Sequence, residues 1–315
     1  MIFGDVHQWV FEHIVQPPMF ALGMANAAED GFVGTEWFLI GLVEISVMLL
    51  VLKPLEWWRP VESVTDRKTV WTDVIYTLVH RLGAFRLALF LALDPVFDVL
   101  REHAHAAGIS GFHLDNVWPG VTDIAIVVFV IYLVTLDFVG YWLHRAQHQL
   151  NAWWALNSLH HAQRQMTMWS DNRNHLLDDL LIDVAMVAVA AAIGVPPEQF
   201  ILLVVLSRIM ESLQHANVRL SFGALGERLI VSPRFHRYHH SIGAGHESQG
   251  KGTLGGHNFG VLFPWWDVLF GTADFSDRYD ATGVRDQLPD EGARNYGGGF
   301  WQQQWFGLKR LVGKA

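Results

Sequence analysis

The sequence predicts an all-α fold: an integral membrane helical bundle of about 4–5 membrane helices, one of them a hairpin, with a cytoplasmic histidine-rich helical cap. Three observations carry this. The chain is 51% hydrophobic and only 17% charged, where soluble domains carry about 25% charge. Its apolar runs are long, and the clearest, Val121–Leu143, exceeds the roughly 20 helical residues that cross a hydrocarbon core. Finally, many of its 17 histidines fall at helical spacings beside the ends of those runs.

The elements follow in chain order. An acidic, irregular start, Met1–Gly34, leads into a first apolar run, Trp37–Leu52. Lys53, Trp57, Trp58 and Arg59 close it as an interfacial anchor, because indoles and snorkelling cations favour the membrane–water boundary. A second run, Val70–Leu93, contains His80, Arg81 and Arg86. Charge inside a span is costly, so both arginines are expected to face protein or water, or to snorkel. The loop Asp94–Gly120 is acidic through Asp94, Asp98, Glu102 and Asp115, with a short surface helix expected within Pro95–Ala107. Val121–Leu143 is the third run. Leu176–Ile193 and Phe200–Leu213 flank Gly194-Val195-Pro196-Pro197, and since proline removes a donor and restricts its predecessor, they read as a helical hairpin. From Ser221 onward the chain is polar, glycine-rich and aromatic, and reads as a cytoplasmic cap. Three segments result: 1–120, N-terminal membrane helices and loop; 121–275, the catalytic segment; and 276–315, a C-terminal tail.

Charge sets the orientation. Lys53, Arg59, Arg67 and Lys68 lie between the first two runs, and the next loop is acidic, so the positive-inside rule places Arg59 and the end of the third run in the cytoplasm. That side then also holds His144, His215 and His236. A net charge of −9 argues against a nucleic-acid partner. With no cysteine there is no thiolate zinc site and no cysteine-ligated iron–sulfur cluster. Met1–Ala28 lacks the basic start and small-residue site of a cleavable signal peptide. No internal repeat of fixed period is evident.

The histidines carry the chemistry. His144 and His148 sit four apart, on one helix face, where two imidazoles can share an ion. Alone, such a pair is as readily accidental. Asn157, His160 and His161 follow, then His175 before the fourth run, His215 at the end of the fifth, and His236, His239 and His240 in the cap. Nine histidines at helical spacings beside span ends are hard to place as separate accidents, and neutral imidazole binds iron and zinc. His7, His13, His80, His103, His105, His113 and His246 lack such a setting.

This order resembles the sterol desaturase and fatty acid hydroxylase superfamily, whose pattern is His-x3-His, His-x2-His-His and again His-x2-His-His on a bundle of spans. Here the boxes are His144/His148, Asn157/His160/His161 and His236/His239/His240. His215-Ala-Asn217, Asn258-Phe-Gly and Trp266-Asp-Val-Leu-Phe-Gly-Thr272 add to the likeness, which covers roughly Asp137–Thr272. The resemblance implies a pair of iron ions held by His144, His148, Asn157, His160, His161, His175, His215, His236, His239 and His240. Zinc is a possible substitute. Asn157 departs from the family pattern, which has histidine there; it is either an oxygen ligand or a residue behind the ligands. Glu211, one turn before His215, is a candidate carboxylate ligand or a buried partner of Arg208 or of a histidine N–H. Asp137, Asp171, Asp178, Asp179 and Asp183 are candidates to accept from the imidazoles' outer N–H groups, and His257 is a candidate neighbour of the site.

Side chains alone cannot break an unactivated C–H bond; a metal and O2 are required. The resemblance therefore implies a membrane di-iron, O2-dependent oxidoreductase, a monooxygenase hydroxylating or desaturating a lipid such as a sterol or fatty acyl chain. Trp153, Trp154, Met166, Met168 and Trp169 are candidates for the lipid path. Gly255-Gly256 and Gly297–Gly299 lack the strand–helix setting of a dinucleotide site. Electrons are thus expected from a separate protein, a ferredoxin or a cytochrome b5-like donor, with Arg234, Arg237 and Lys251 as its landing patch. The rival readings are a zinc-dependent membrane hydrolase, for which no His-Glu-x2-His is present, and a non-catalytic lipid-binding relative.

Overall fold

The computed structural model describes residues 2–83, 85, 99, 102–103, 106–108, 112, 114, 117–246 and 255–314. Among them the fold is helical, with a lone β-bridge, Ser241 to Thr282, and no strand. Arg86, most of Pro95–Ala107, His105, His113 and Lys251 lie outside the described residues. The chain divides into two compact units, Met1–Leu49 with Thr77–Ser110, and Leu50–Tyr76 with Gly111–Ala315.

In the first unit, α1 (Ile2–Val10) and α2 (Gln16–Ala21) precede α3 (Ala28–Val47). His7 Nε2 donates to Phe32 O at 2.8 Å and so closes α1 on α3. Glu44 and Arg81, both fully buried, pair at 3.1 Å, which is how Arg81 is accommodated within an apolar helix. Gly41 allows that approach: a Cβ there would collide with the Arg81 carbonyl.

The second unit carries the site. After α4 (Lys53–Trp58) and α5 (Arg67–Arg81), α6 (Ala125–Gln149) runs straight through His144 and His148. The apolar run thus continues as helix past its last apolar residue. Two stretches among the described residues, Ala25–Trp58 and Ala125–Gln149, are long and apolar enough to cross a membrane. α7 (Asn151–His161) follows after an extended Leu150. Then α8 (Leu176–Ala192) and α9 (Pro197–His215) flank the expected turn, where Pro196 is extended and Pro197 occupies the first helical turn, as its missing N–H allows. Val128, Tyr132 and Leu136 of α6 pack with Ala190 of α8 and Leu203 of α9. The Tyr132 hydroxyl donates to Gly194 O at 2.9 Å, tying the hairpin turn to α6.

Beyond α9 the chain is irregular around α10 (Gly223–Gly226), α11 (Pro233–His239), α12 (Trp265–Leu269) and α13 (Phe300–Leu311). α11 begins with a full helix-start signal: Ser232 Oγ accepts from Phe235 N at 3.1 Å, and Pro233 follows at once. α13 packs on α7 and brings Arg310 Nε to Ala155 O at 3.0 Å.

Candidate metal centre

Four helices deliver the imidazoles: α6, α7, α9 and α11. The histidines sort into two groups, His144, His148, His161 and His239, and His160, His215, His236 and His240; within each, the ligand atoms lie within 4.8 Å of one another. Helix geometry explains the sorting. Residues four apart share a face, so His144 pairs with His148 and His236 with His240. Neighbours in sequence point about 100° apart, so His160/His161 and His239/His240 each divide between the groups. The third and second boxes thereby serve both sites at once.

The facing atoms are Nε2. His148 Nε2 lies 3.0 Å from His161 Nε2. In the second group, His215 Nε2 lies 3.2 Å from that of His160 and 3.1 Å from that of His236, which lies 3.1 Å from that of His240. Several outer nitrogens are anchored to main-chain carbonyls: His144 Nδ1 to Phe259 O (2.9 Å), His239 Nδ1 to His257 O (2.7 Å) and His215 Nδ1 to Glu211 O (2.8 Å). A carbonyl only accepts, so these Nδ1 atoms carry the ring proton and leave Nε2 with a lone pair.

That protonation pattern tests the fit of a metal. His215 Nε2 has one lone pair, yet two other Nε2 atoms face it. No arrangement of the available protons satisfies the whole second group, whereas a shared cation does. A metal bonded at about 2.1 Å sets ligand nitrogens about 3.0 Å apart at a right angle and about 3.4 Å apart at the tetrahedral angle, close to the spacing seen. Burial adds to this. His160, His161, His236, His239 and His240 are buried, and burial, reinforced by neighbouring imidazoles, pushes each well below the ordinary histidine range. They are neutral near pH 7, the form that binds metal. The residues fit two imidazole-bound transition-metal ions.

His175 stays outside both groups. It caps α8: its Nδ1 accepts from Leu177 N at 3.1 Å, and its Nε2 donates to Gln304 O at 2.9 Å. Both nitrogens are thus engaged in holding α8 to α13. Gly307 leaves room for the ring, since a Cβ there would lie 2.8 Å from His175 Nε2. Asn157 is buried one turn before His161 on the same helix face, and its Nδ2 has no hydrogen-bond partner. Glu211 contributes through its main-chain carbonyl.

Asp137, Asp267 and Asp178 hold the frame around the rings. Asp137 accepts from Leu262 N, Phe263 N and Trp266 Nε1, at 2.7, 3.2 and 2.8 Å. Asp267 accepts from Phe259 N and Gly260 N at 2.8 and 2.7 Å, and so fixes the carbonyl beneath His144. Asp178 accepts from Gln147 Nε2 and Trp153 Nε1, and Asp171 from Ser212 Oγ. Asn258 takes a left-handed conformation, φ 59°, that a short amide tolerates; its Nδ2 donates to Phe235 O and Asp274 O, and its Oδ1 accepts from Asp274 N.

The expected basic landing patch is corrected. Arg234 is buried against Glu227 at 2.6 Å, and Arg237 is buried against Glu62 at 2.9 Å; their charges position α11. The carbonyls of Phe259, His257 and Glu211 escape sequence reasoning because any residue type supplies them. His246 escapes too: it stacks on Trp154 (5.2 Å, 21°) and its Nδ1 donates to His148 O at 2.5 Å, without any box spacing to announce it. Trp154 itself packs on His148 at 4.9 Å, and Met166 and Met168 are buried.

Comparison with known proteins agrees with this arrangement. Residues 129–272 match the fatty acid hydroxylase family, a span that contains all eight clustered histidines. Three relatives are similar over different lengths. An ornithine lipid hydroxylase of Rhizobium tropici is 24% identical over 79% of this chain and 70% of its own length. Alkylglycerol monooxygenases of Caenorhabditis elegans and Homo sapiens are each 26% identical, over 50% and 44% of this chain; the matches span only 29% and 28% of those proteins. No solved structure matches. Through this segment the chain is similar to the fatty acid hydroxylase family, in support of the resemblance to the sterol desaturase and fatty acid hydroxylase superfamily.

Proposed function

We propose that the protein is a membrane-embedded, O2-dependent monooxygenase that hydroxylates a lipid with a pair of histidine-bound iron ions. The observation that carries this is the division of His160/His161 and His239/His240 between two adjacent all-imidazole groups. Nitrogen-only sets favour iron or zinc over calcium or magnesium. The family and the lipid hydroxylases among the relatives favour iron and oxygen insertion.

His144, His148, His161 and His239 would hold one ion, and His160, His215, His236 and His240 the other. Bound there, the iron pair supplies activation of O2 for insertion into an unactivated C–H bond. The protein's own tasks are distinct. Phe259 O, His257 O and Glu211 O fix ring orientation and direct Nε2 inward. Burial keeps the rings neutral and excludes water that would quench a reactive oxidant. Phe259 closes one side, its ring 5.6 Å from His239 and 5.2 Å from His148. The substrate enters from the bilayer, the site lies on the cytoplasmic face of a multi-pass bundle of 4–5 spans, and a separate protein delivers electrons. Neither histidine group includes a carboxylate ligand.

The test is metal analysis of protein loaded anaerobically with ferrous iron, followed by 18O2 and mass spectrometry of the host lipids. Two irons per chain and one 18O in a lipid product are expected. One zinc with hydrolytic activity, or no oxygen incorporation by a fully iron-loaded and reduced protein, overturns the reading.

A further inference from the structure

The C-terminal helix α13 has two faces with different partners. One is locked into the second unit. Gln304 Oε1 accepts from Leu176 N at 2.8 Å, while its Nε2 donates to the Tyr76 hydroxyl at 2.9 Å and to Asn174 O at 3.0 Å. Arg310 donates to Ala155 O and covers the Tyr296 ring at 4.4 Å. The opposite face is apolar and exposed: Trp301 (77%), Trp305 (57%), Leu308 (39%) and Val312 (63%). Spaced by four, three and four residues, these fall in one narrow stripe along the helix.

We propose that this stripe lies in the headgroup layer of the membrane, so that α13 is an interfacial helix parallel to the bilayer surface. Three features select lipid over a protein partner. The stripe is led by two indoles, which favour the interfacial layer. Its border is cationic: Lys309 Nζ lies 5.7 Å from the Trp305 ring, and Lys314 follows. The segment 299–315 has no acidic residue in a chain of net charge −9, which matches it to anionic headgroups. The same pairing of indole and cation recurs at the end of the candidate span 25–58, where Lys53 lies 5.7 Å from the Trp57 ring and Arg59 5.7 Å from that of Trp58. α13 therefore repeats, at the other end of the chain, the device that closes a span.

The position has a consequence for the site. Arg310 holds α7, and α7 carries His160 and His161. Anchored at the interface, α13 fixes how far below the headgroups those ligands sit, and so which carbon of a lipid reaches them. This inference rests on the membrane reading, and the experiment separates the two.

Because the chain has no cysteine, single-cysteine variants carry a spin label without background. Trp305→Cys and Leu308→Cys probe the stripe, Gln302→Cys the polar flank, and Leu50→Cys the candidate span. The full-length protein is placed in vesicles of phosphatidylcholine with phosphatidylglycerol, and relaxation by lipid-soluble O2 is compared with that by an aqueous nickel chelate. O2 should dominate at 305, 308 and 50, and the chelate at 302. Chelate dominance at 305 and 308 with O2 dominance at 50 overturns the interfacial helix alone. Chelate dominance at 50 as well removes the membrane reading with it. Shielding of 305 and 308 from both relaxants assigns the stripe to a protein partner and also overturns the inference. All four positions are exposed, so the labels leave the packed face intact.

Discussion

The rings of His161 and His240 stack 4.3 Å apart, 17° from parallel, although each faces a different histidine group. This contact joins the two groups between α7 and the end of α11, beside a second stack across them, His236 on His239 at 5.4 Å and 25°. His161→Ala and His240→Ala should therefore each damage both groups, one by loss of a ligand and the other by loss of a packed ring. Iron per chain should fall from about two to one or fewer in either variant, with hydroxylation abolished; loss of a ligand's support typically weakens metal binding 10–100-fold. Full iron content in both variants would refute the assignment.

Glu227 provides a pH-dependent brace for α11. Arg234 and Ser232 donate to it, and those hydrogen bonds outweigh burial and hold its carboxyl below the usual glutamate range. A depressed acid contributes stability above its unfolded value, about 4.3, and loses that contribution as pH falls through its folded value. Thermal unfolding followed from pH 7 to pH 3 should show an acid-side decline that Glu227→Gln reduces. The variant should also be less stable at pH 7, because Arg234 then keeps only the exposed Asp277 as a charged partner. An unchanged acid limb in the variant would remove Glu227 from this role.

Asp137 joins α6 to the loop beneath His144. Asp137→Ala strands three donors, Leu262 N, Phe263 N and Trp266 Nε1, each worth about 1–3 kcal/mol when buried without a partner. The expected result is a large loss of thermal stability with weaker iron binding, and partial recovery with Asp137→Asn. Wild-type stability in the alanine variant would show that water replaces the carboxylate.

Asn258 combines a left-handed backbone with three side-chain hydrogen bonds. Asn258→Gly keeps the conformation and loses the bonds; Asn258→Ala loses both. Stability should fall in the order wild type, glycine, alanine, with the two variants about 1 kcal/mol apart. Chemical denaturation measures the order, and equal values for the two variants would dismiss the backbone contribution.

Sequence periodicity was enough to read the hairpin, the span through Val121–Leu143 and the histidine boxes, because each rests on local spacing. The run's true limit was not visible: α6 continues to Gln149, since a helix follows its hydrogen bonds, not its hydropathy. His175 stands beside Asn174 in a box-like setting, yet its role as the α8 cap depends on Gln304, 129 residues away. The sharing of paired histidines between two groups follows from helix geometry, but which group each joins depends on the docking of α11. Arg234 and Arg237 looked like surface charge because Glu227 and Glu62 are not adjacent to them in a linear pattern. Long-range partners and main-chain acceptors leave no trace in residue spacing.

The second group takes His160 from α7, His215 from α9, His236 from α11 and His240 from the cap that ends α11. Its donors are up to 80 residues apart in the chain, so no fragment ending before His240 can complete it. Cation capture by the complete group would thus follow assembly rather than nucleate it, and metal retained by a variant would report that its tertiary closure has succeeded. A nascent chain emerging from the ribosome would stay metal-free until its last box had docked.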